Sequence, residues 1–216
     1  MELEIRNNVT IPLKGDYATP GWAAKEWVAA NPREPFIIKQ GLIKDERGWF
    51  GELFNEDKFN EYTGLSIHFI QDNMSYSKQH IGRGLHWQAA PYEQTKLVRV
   101  VQGEILDYVV NIDPQSENFG KVYEFHLKRN WADEKTDFEW LFVPKGFAHG
   151  FITLENSVVQ YKVDSPWVKD AERCINLKQL INPAFIISCS EKDEDAPTFN
   201  EYSFSLNGLP TNKTRA

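Results

Sequence analysis

From Pro35 to Val163 the apolar residues come in short runs broken by turn residues: PFIIKQGLI, LSIHFIQDN, TKLVRVVQGEILDYVVNID, KVYEFHLK, EWLFVPKG and SVVQYKV. Runs of this length, punctuated by Gly, Pro, Asn and Asp, predict strands joined by turns, and so many of them predict an all-β sandwich or barrel. Within EILDYVVNI, Leu106, Tyr108, Val110 and Ile112 alternate with Ile105, Asp107, Val109 and Asn111. The first set forms a face that is wholly apolar or aromatic. The second carries two polar side chains between aliphatics, and two destinations stay open for it: solvent, or the cavity of a small barrel.

Helical expectations are few and short. LFNEDKFNEYT (53–63) reads as a helical turn or two, and residues 171–185 are expected to hold another helical segment. Near the start, TPGWAAKEWVAAN (19–31) has Thr19 as a cap, Pro20 at the first helical position and alanines beyond, until NPREP ends it. Residues 1–36 therefore read as an N-terminal extension before the main domain.

Composition narrows the class. The 216 residues, 41% of them hydrophobic, suit one globular domain with a sizeable core. A formal net charge of −7 argues against nucleic acid or an anionic membrane as partner. The opening MELEIRNNVT lacks the order of a secretory signal, and no apolar run is long enough to span a bilayer, so a cytoplasmic location is expected. Cys174 and Cys189 show no paired spacing and read as reduced thiols, not as a disulfide or zinc site.

The candidate chemistry begins in RGLHWQ (83–88). Period two places Gly84, His86 and Gln88 on one face and Arg83, Leu85 and Trp87 on the other. By itself a strand histidine is an ordinary hydrogen-bonded residue. A second signal lies in PKGFAHGF (144–151), where a proline and two glycines frame His149 directly after EWLFV. The Pro-x-Gly-x-x-His spacing, with the earlier strand histidine, resembles the cupin family, whose jelly-roll barrel encloses its chemistry. Many cupins hold a metal through a His-x-His pair, a glutamate and the later histidine. Here Gln88 stands at the second histidine of the pair, and although Glu93 lies at a suitable distance, an amide is a poor substitute for imidazole. No metal and no cofactor are expected, and neutral imidazole suits proton transfer near neutral pH.

Seven runs carry a closer resemblance: KDERGWFGELF (44–54), FIQDNMSYS (69–77), GRGLHWQAAPYEQTKLVRVVQGEILDYVV (82–110), SENFG (116–120), VPKGFAHGF (143–151), VVQYK (158–162) and SEKDEDAP (190–197). In this order they resemble the dTDP-4-dehydrorhamnose 3,5-epimerase family, from about Ile37 onward. The resemblance implies a metal-free, cupin-type jelly-roll barrel with short flanking helices over 37–190, followed by a C-terminal segment (191–216) that adds Lys192 and Asp193 to the site. It implies a homodimer with a strand exchanged between subunits. The implied reaction inverts the two carbons flanking the C4 ketone of a nucleotide-linked 4-keto-6-deoxyhexose.

Such a reaction needs a base, a stabiliser for the enolate oxygen and an acid on the opposite face. By resemblance His86 is the base, Asp193 its paired carboxylate, Lys96 the cation near the enolate and Tyr161 the residue that returns the proton. His149 matches a cavity residue that contacts substrate. Arg47, Glu52, Gln71, Asn73, Arg83, Glu172 and Lys192 match positions that hold the nucleotide or its diphosphate, for which arginine offers paired donors. Strict alternation puts Arg83 and His86 on opposite faces, so either Gly84 marks a bulge or Arg83 reaches the cavity rim or another subunit.

The chain departs from the family pattern in places. Trp49 and Trp167 fall where Phe or Tyr commonly lies near the nucleotide base, and Asn111 and Asp113 replace a common Asp and Arg. Three other readings compete: a relative that epimerises one carbon or moves the ketone, a non-catalytic sugar-nucleotide-binding jelly roll, and a metal-dependent cupin.

Overall fold

The computed structural model describes residues 5–7, 33–131, 138–180 and 187–206. The helix expected over 19–31 lies outside these residues. Two sheets form a jelly-roll barrel and share one long strand. The first runs β1 (Ile5–Asn7), β8 (Val122–Arg129), β7 (Lys96–Asn111), β10 (Phe147–Thr153), β6 (Gly82–Gln88) and β12 (Glu172–Cys174). The second joins β5 (Gln71–Ser77), β11 (Ser157–Val163), the first half of β7, β9 (Phe138–Val143) and β2 (Phe36–Gln40). A separate hairpin pairs β3 (Ile43–Asp45) with β4 (Gly48–Phe50).

The strand β7 can serve both sheets because it turns at Gly103. Its first residues pair with β11 and β9, and from Gly103 onward it pairs with β8 and β10. Gly103 has φ +98°, and a Cβ there would come within 2.6 Å of the Asn156 carbonyl oxygen. Only glycine meets both demands.

β7, β9 and β10 are buried on both faces, which explains why they read as apolar runs and not as clean alternation. Between the sheets lie Ile37, Val98, Val109, Phe125, Leu141, Phe147, Phe151 and Val159, with Tyr161 against them. Outside the first sheet, Leu85, Tyr108, Val110 and Ile152 are covered by Ile175, Leu177, Leu180 and Phe199. Outside the second, Trp140, Phe142 and Leu97 are covered by Phe59 of helix α1 (Glu56–Thr63). Asn55 caps that helix by accepting from the Lys58 amide, and Gly64 ends it at φ +68°.

The two faces of EILDYVVNI are thereby assigned. The wholly apolar face points outward, beneath the C-terminal segment, and the mixed face points into the barrel. Asp107 is completely buried and Asn111 nearly so. The helical segment expected within 171–185 is, in its described part, a single 3-10 turn at Leu177–Gln179; Glu172–Cys174 form β12 instead, after a 3-10 turn at Lys169–Ala171. β12 pairs with β6, so the backbone there is committed to the sheet. SEKDEDAP, by contrast, contains a short helix, α2 (Glu191–Glu194), and a further helix α3 spans Phe199–Leu206. Among the described residues no helix is long and apolar enough to cross a membrane.

Candidate active site

A cavity of about 480 Å³ opens between the two sheets. It gathers Arg83, His86, Lys96, His149, Tyr161, Lys192 and Asp193, residues drawn from four strands and the C-terminal segment.

His86 projects from β6 toward the cavity because its neighbours Leu85 and Trp87 are drawn into the outer apolar cluster. Its Nε2 lies 2.5 Å from Oδ1 of Asp193. An ionised carboxylate only accepts, so Nε2 carries the hydrogen and Nδ1 keeps the lone pair that can take a proton. Burial raises the Asp193 carboxyl, but the contacts with His86, Ser190 and the Gly84 amide outweigh it and hold the group below the usual carboxylate range. Asp193 therefore stands ready as the counter-charge for an imidazolium.

Arg83 reaches the same cavity through a bulge. His149 lies opposite His86 while Phe151 lies opposite Arg83, so three steps on β6 match two on β10. Gly84 has φ +96°, and a Cβ there would meet the His149 carbonyl oxygen at 2.7 Å. The extra residue resets the alternation and brings both side chains to one face. Arg83 then donates from Nε to Ser77 Oγ (2.8 Å) and from its terminal nitrogen to the Tyr76 carbonyl (3.2 Å).

Lys96, which as the first residue of a strand could have been a solvated end, is buried at 8% exposure. Its Nζ donates to the His86 carbonyl at 3.2 Å. Burial pushes its pKa down to about 8, while the charges of Asp107 and Glu172 pull the other way. A cation held in a water-poor cavity is placed to meet negative charge that develops on a ligand. Tyr161 lines the same cavity from the other sheet, and burial raises its hydroxyl above the usual phenol range, opposed by Arg83. It remains a proton donor across neutral and mildly alkaline pH.

His149 is held through Nε2 by Oδ2 of Asp107 at 2.9 Å. Asp107 was not singled out as a site residue from sequence. The available signal was an isolated carboxylate between Ile105 and Val109 on a strand apolar on both sides, which must find a partner inside the fold. Gln88, at the position of a second metal histidine, is buried and accepts from the Val168 amide at 2.8 Å. Glu93 lies with Gln88 on a different cavity, away from His86. Among the described residues no group of three or more His, Cys, Asp or Glu is placed to hold a metal ion.

The remaining residues lie around or beyond this cavity. Lys192 pairs with Glu172 at 2.6 Å on its rim. Asn73 is opposite Tyr161 on β5 and accepts from Gln71 at 2.8 Å, although neither lines the cavity wall. Arg47, Trp49 and Glu52 belong to the β3–β4 region: Arg47 is exposed and paired with Asp45, Trp49 stacks on Trp131 at 5.4 Å, and Glu52 holds Lys58 at 2.5 Å. Trp167 is 53% exposed and also lies outside the wall.

Comparison with known proteins agrees with this architecture. The family model described as dTDP-4-dehydrorhamnose 3,5-epimerase matches residues 32–201. The chain is 41% identical over 140 residues to the dTDP-4-dehydrorhamnose 3,5-epimerase of Shigella flexneri, covering 64% of this chain and 74% of that protein. The crystal structure of the enzyme of that name from Elizabethkingia anophelis is 38% identical, with a TM-score of 0.69 over 78% of this chain and 93% of the other. A Legionella pneumophila dTDP-6-deoxy-D-glucose-3,5-epimerase, solved in complex with dTDP-4-keto-L-rhamnose, is 32% identical with a TM-score of 0.69, covering 82% of this chain and 93% of the other. By the match of its sequence and of its jelly-roll fold, this chain belongs to the dTDP-4-dehydrorhamnose 3,5-epimerase family.

Proposed function

We propose that the protein inverts C3 and C5 of dTDP-4-dehydro-6-deoxy-D-glucose, giving dTDP-4-dehydro-L-rhamnose, without a metal or cofactor. One observation carries the reading: a carboxylate-supported histidine from one sheet, a tyrosine from the other and a buried lysine line one cavity. Inversion at a carbon needs a base on one face and an acid on the other, which is what two facing sheets can offer.

The C4 ketone acidifies the neighbouring C–H bonds by spreading charge onto its oxygen. His86 takes the proton through Nδ1, and Asp193 stabilises the imidazolium. Lys96, as ammonium, meets the enolate oxygen, and His149 contacts the sugar beside it. Tyr161 delivers a proton from the opposite face; His86 then gives up its proton to solvent and Tyr161 regains one, and a repeat at the second carbon completes the reaction. Arg83 and Lys192 are suited to the diphosphate by charge.

We assign Arg47, Trp49, Glu52, Gln71, Asn73, Glu172 and Trp167 to the nucleotide end. The β3–β4 hairpin leaves Phe50 at 69% exposure and Ile43 at 49%, and β5, which among the described residues pairs only with β11, exposes Met74 and Tyr76. A second copy of the chain would cover both, and would bring Arg47 and Trp49 of one subunit to the cavity of the other. Mixing Arg47→Ala chains with His86→Ala chains tests this arrangement. Partial recovery of activity in the mixture is expected, whereas independent sites would leave it inactive. The free thiols of Cys174 and Cys189 accord with a cytoplasmic enzyme.

The function is tested by incubating the protein with dTDP-4-keto-6-deoxyglucose in deuterated water and following both C–H signals by NMR. Exchange at C3 and C5 is expected. Exchange at one carbon would make it a single-site epimerase, and none in folded protein would leave a binding barrel.

A further inference from the structure

The base and its carboxylate are 107 residues apart in sequence, and Asp193 sits on a one-turn helix with little structure of its own. Something must hold that turn against β6. At its start, the segment is tied by backbone bonds: Gly82 donates to the Ser188 carbonyl and Ser188 to the His80 carbonyl, each at 2.9 Å. At its far end the attachments converge on the stretch 176–178, and the backbone of the turn itself is held there by the Asn176 side chain.

We propose that Asn176 is a positioning residue for the His86–Asp193 pair. The residue before it, Ile175, exchanges both backbone hydrogen bonds with Leu85, the neighbour of His86, at 3.0 and 3.1 Å. Asn176 itself donates from its backbone amide to the Pro197 carbonyl (2.8 Å) and from Nδ2 to the carbonyl of Glu194, the residue after Asp193 (2.9 Å). Its Oδ1 accepts from the Lys178 amide at 2.8 Å, which fixes the amide orientation so that Nδ2 faces Glu194. The route from base to carboxylate thus runs Leu85, Ile175, Asn176, Glu194, and each non-covalent step is a hydrogen bond of ordinary length. Lys178 reinforces it from outside by pairing with the Glu194 carboxylate at 2.8 Å.

This placement matters because the His86–Asp193 contact depends on where α2 lies. α2 buries little besides Asp193 itself, so apolar packing does not locate it. Loss of the Nδ2 donor loosens the backbone at the end of the turn, leaving the Lys178–Glu194 pair and the Pro197 bond, while the Ser188 end stays fixed. Asp193 then swings relative to His86, and the imidazolium loses its closest counter-charge during proton abstraction. The inference rests on the reading of His86 as the base.

Asn176→Asp is the sharpest variant, since it keeps the acceptor for Lys178 and sets a carboxylate oxygen, with its negative charge, in place of the donor to Glu194. Asn176→Ala removes both. Gln179→Ala serves as the comparison: Gln179 braces the same segment but reaches the Phe199 amide at the start of α3, not the Asp193 turn. Both Asn176 variants are expected to lower kcat about fivefold to tenfold with KM within about twofold, the size of one lost hydrogen bond at a reacting group. In protein labelled with 15N-histidine and free of substrate, the His86 ring nitrogens should shift in both variants. Gln179→Ala should leave kcat and these signals as in the wild type while lowering Tm.

Unchanged kcat in Asn176→Asp overturns the proposal, as does an equal loss in Gln179→Ala or a lower kcat with unmoved His86 signals. Should His86→Ala retain exchange, the assigned base is wrong; the ring-nitrogen shifts, measured without substrate, would still report whether Asn176 positions Asp193.

Discussion

Two histidine–carboxylate pairs stand side by side on neighbouring strands, and they are electrostatically unlike. His86 and His149 are direct cross-strand partners on β6 and β10. In the first pair the histidine side chain is 29% exposed and its carboxylate comes from a surface turn. In the second the histidine is 8% exposed and Asp107 has no solvent contact at all. The Asp193 carboxyl is held below its usual range by the hydrogen-bond donors around it. The Asp107 carboxyl is raised by burial, against the pull of His149 and Lys96, and its other oxygen has no hydrogen-bond partner among the described residues. Identical residue types thus acquire different capacities from solvent access and from the number of donors that reach the carboxylate. A base must also reach substrate and pass its proton on, which favours the more open pair.

Removing each histidine gives the greatest separation of the pairs. His86→Ala is expected to lower kcat by roughly 10³- to 10⁴-fold, and His149→Ala by roughly 10- to 10²-fold, in stopped exchange assays. Equal losses would erase the distinction between base and contact residue. Next come the carboxylates. Asp193→Asn should cost about 10²-fold in kcat and Asp107→Asn about tenfold, since only the first removes the counter-charge to an imidazolium that forms in the transition state. The reverse ranking would move the base to His149.

Gly84 sets the distance between the pairs, so Gly84→Ala attacks both. A Cβ at its φ of +96° strains the backbone and strikes the His149 carbonyl, and a loss of about 1–3 kcal/mol in denaturant unfolding is expected. Wild-type stability would show that β6 and β10 can separate without harm. The smallest effect is a displacement in pH. With the Lys96 pKa near 8, its ammonium is present below that pH and lost above it, so kcat/KM should fall as pH rises through about 8. Tyr161, raised by burial, stays protonated there and does not produce this limb. Lys96→Arg should move the limb to much higher pH; an unmoved limb would assign it to another group.

Much of the fold was legible because strand runs and turn residues are local signals. α1 lies within the run 53–63 that reads as helical, and the structure shows Asn55 and Gly64 closing its ends. The region after Asp170 did not, because its residues have ordinary helical propensity and only pairing with β6 commits them to strand. For the site, RGLHWQ and PKGFAHGF marked both histidines, and alternation correctly separated His86 from Trp87. It failed at Arg83, since a bulge is a tertiary accommodation to the close approach of β10. Asp107 escaped because a polar residue on a strand looks the same whether it faces water or a cavity.

The sequence by itself determined the local alternatives: which segments extend, where glycine permits a turn, and which side chains have the chemistry to move a proton. Only the tertiary structure decided their use. Burial lowered the lysine, a bulge turned Arg83 inward, and a C-terminal turn supplied Asp193 across 107 residues. The reason is physical: propensity and periodicity act over a few residues, whereas desolvation and charge pairing depend on distances that exist only after the chain has closed on itself.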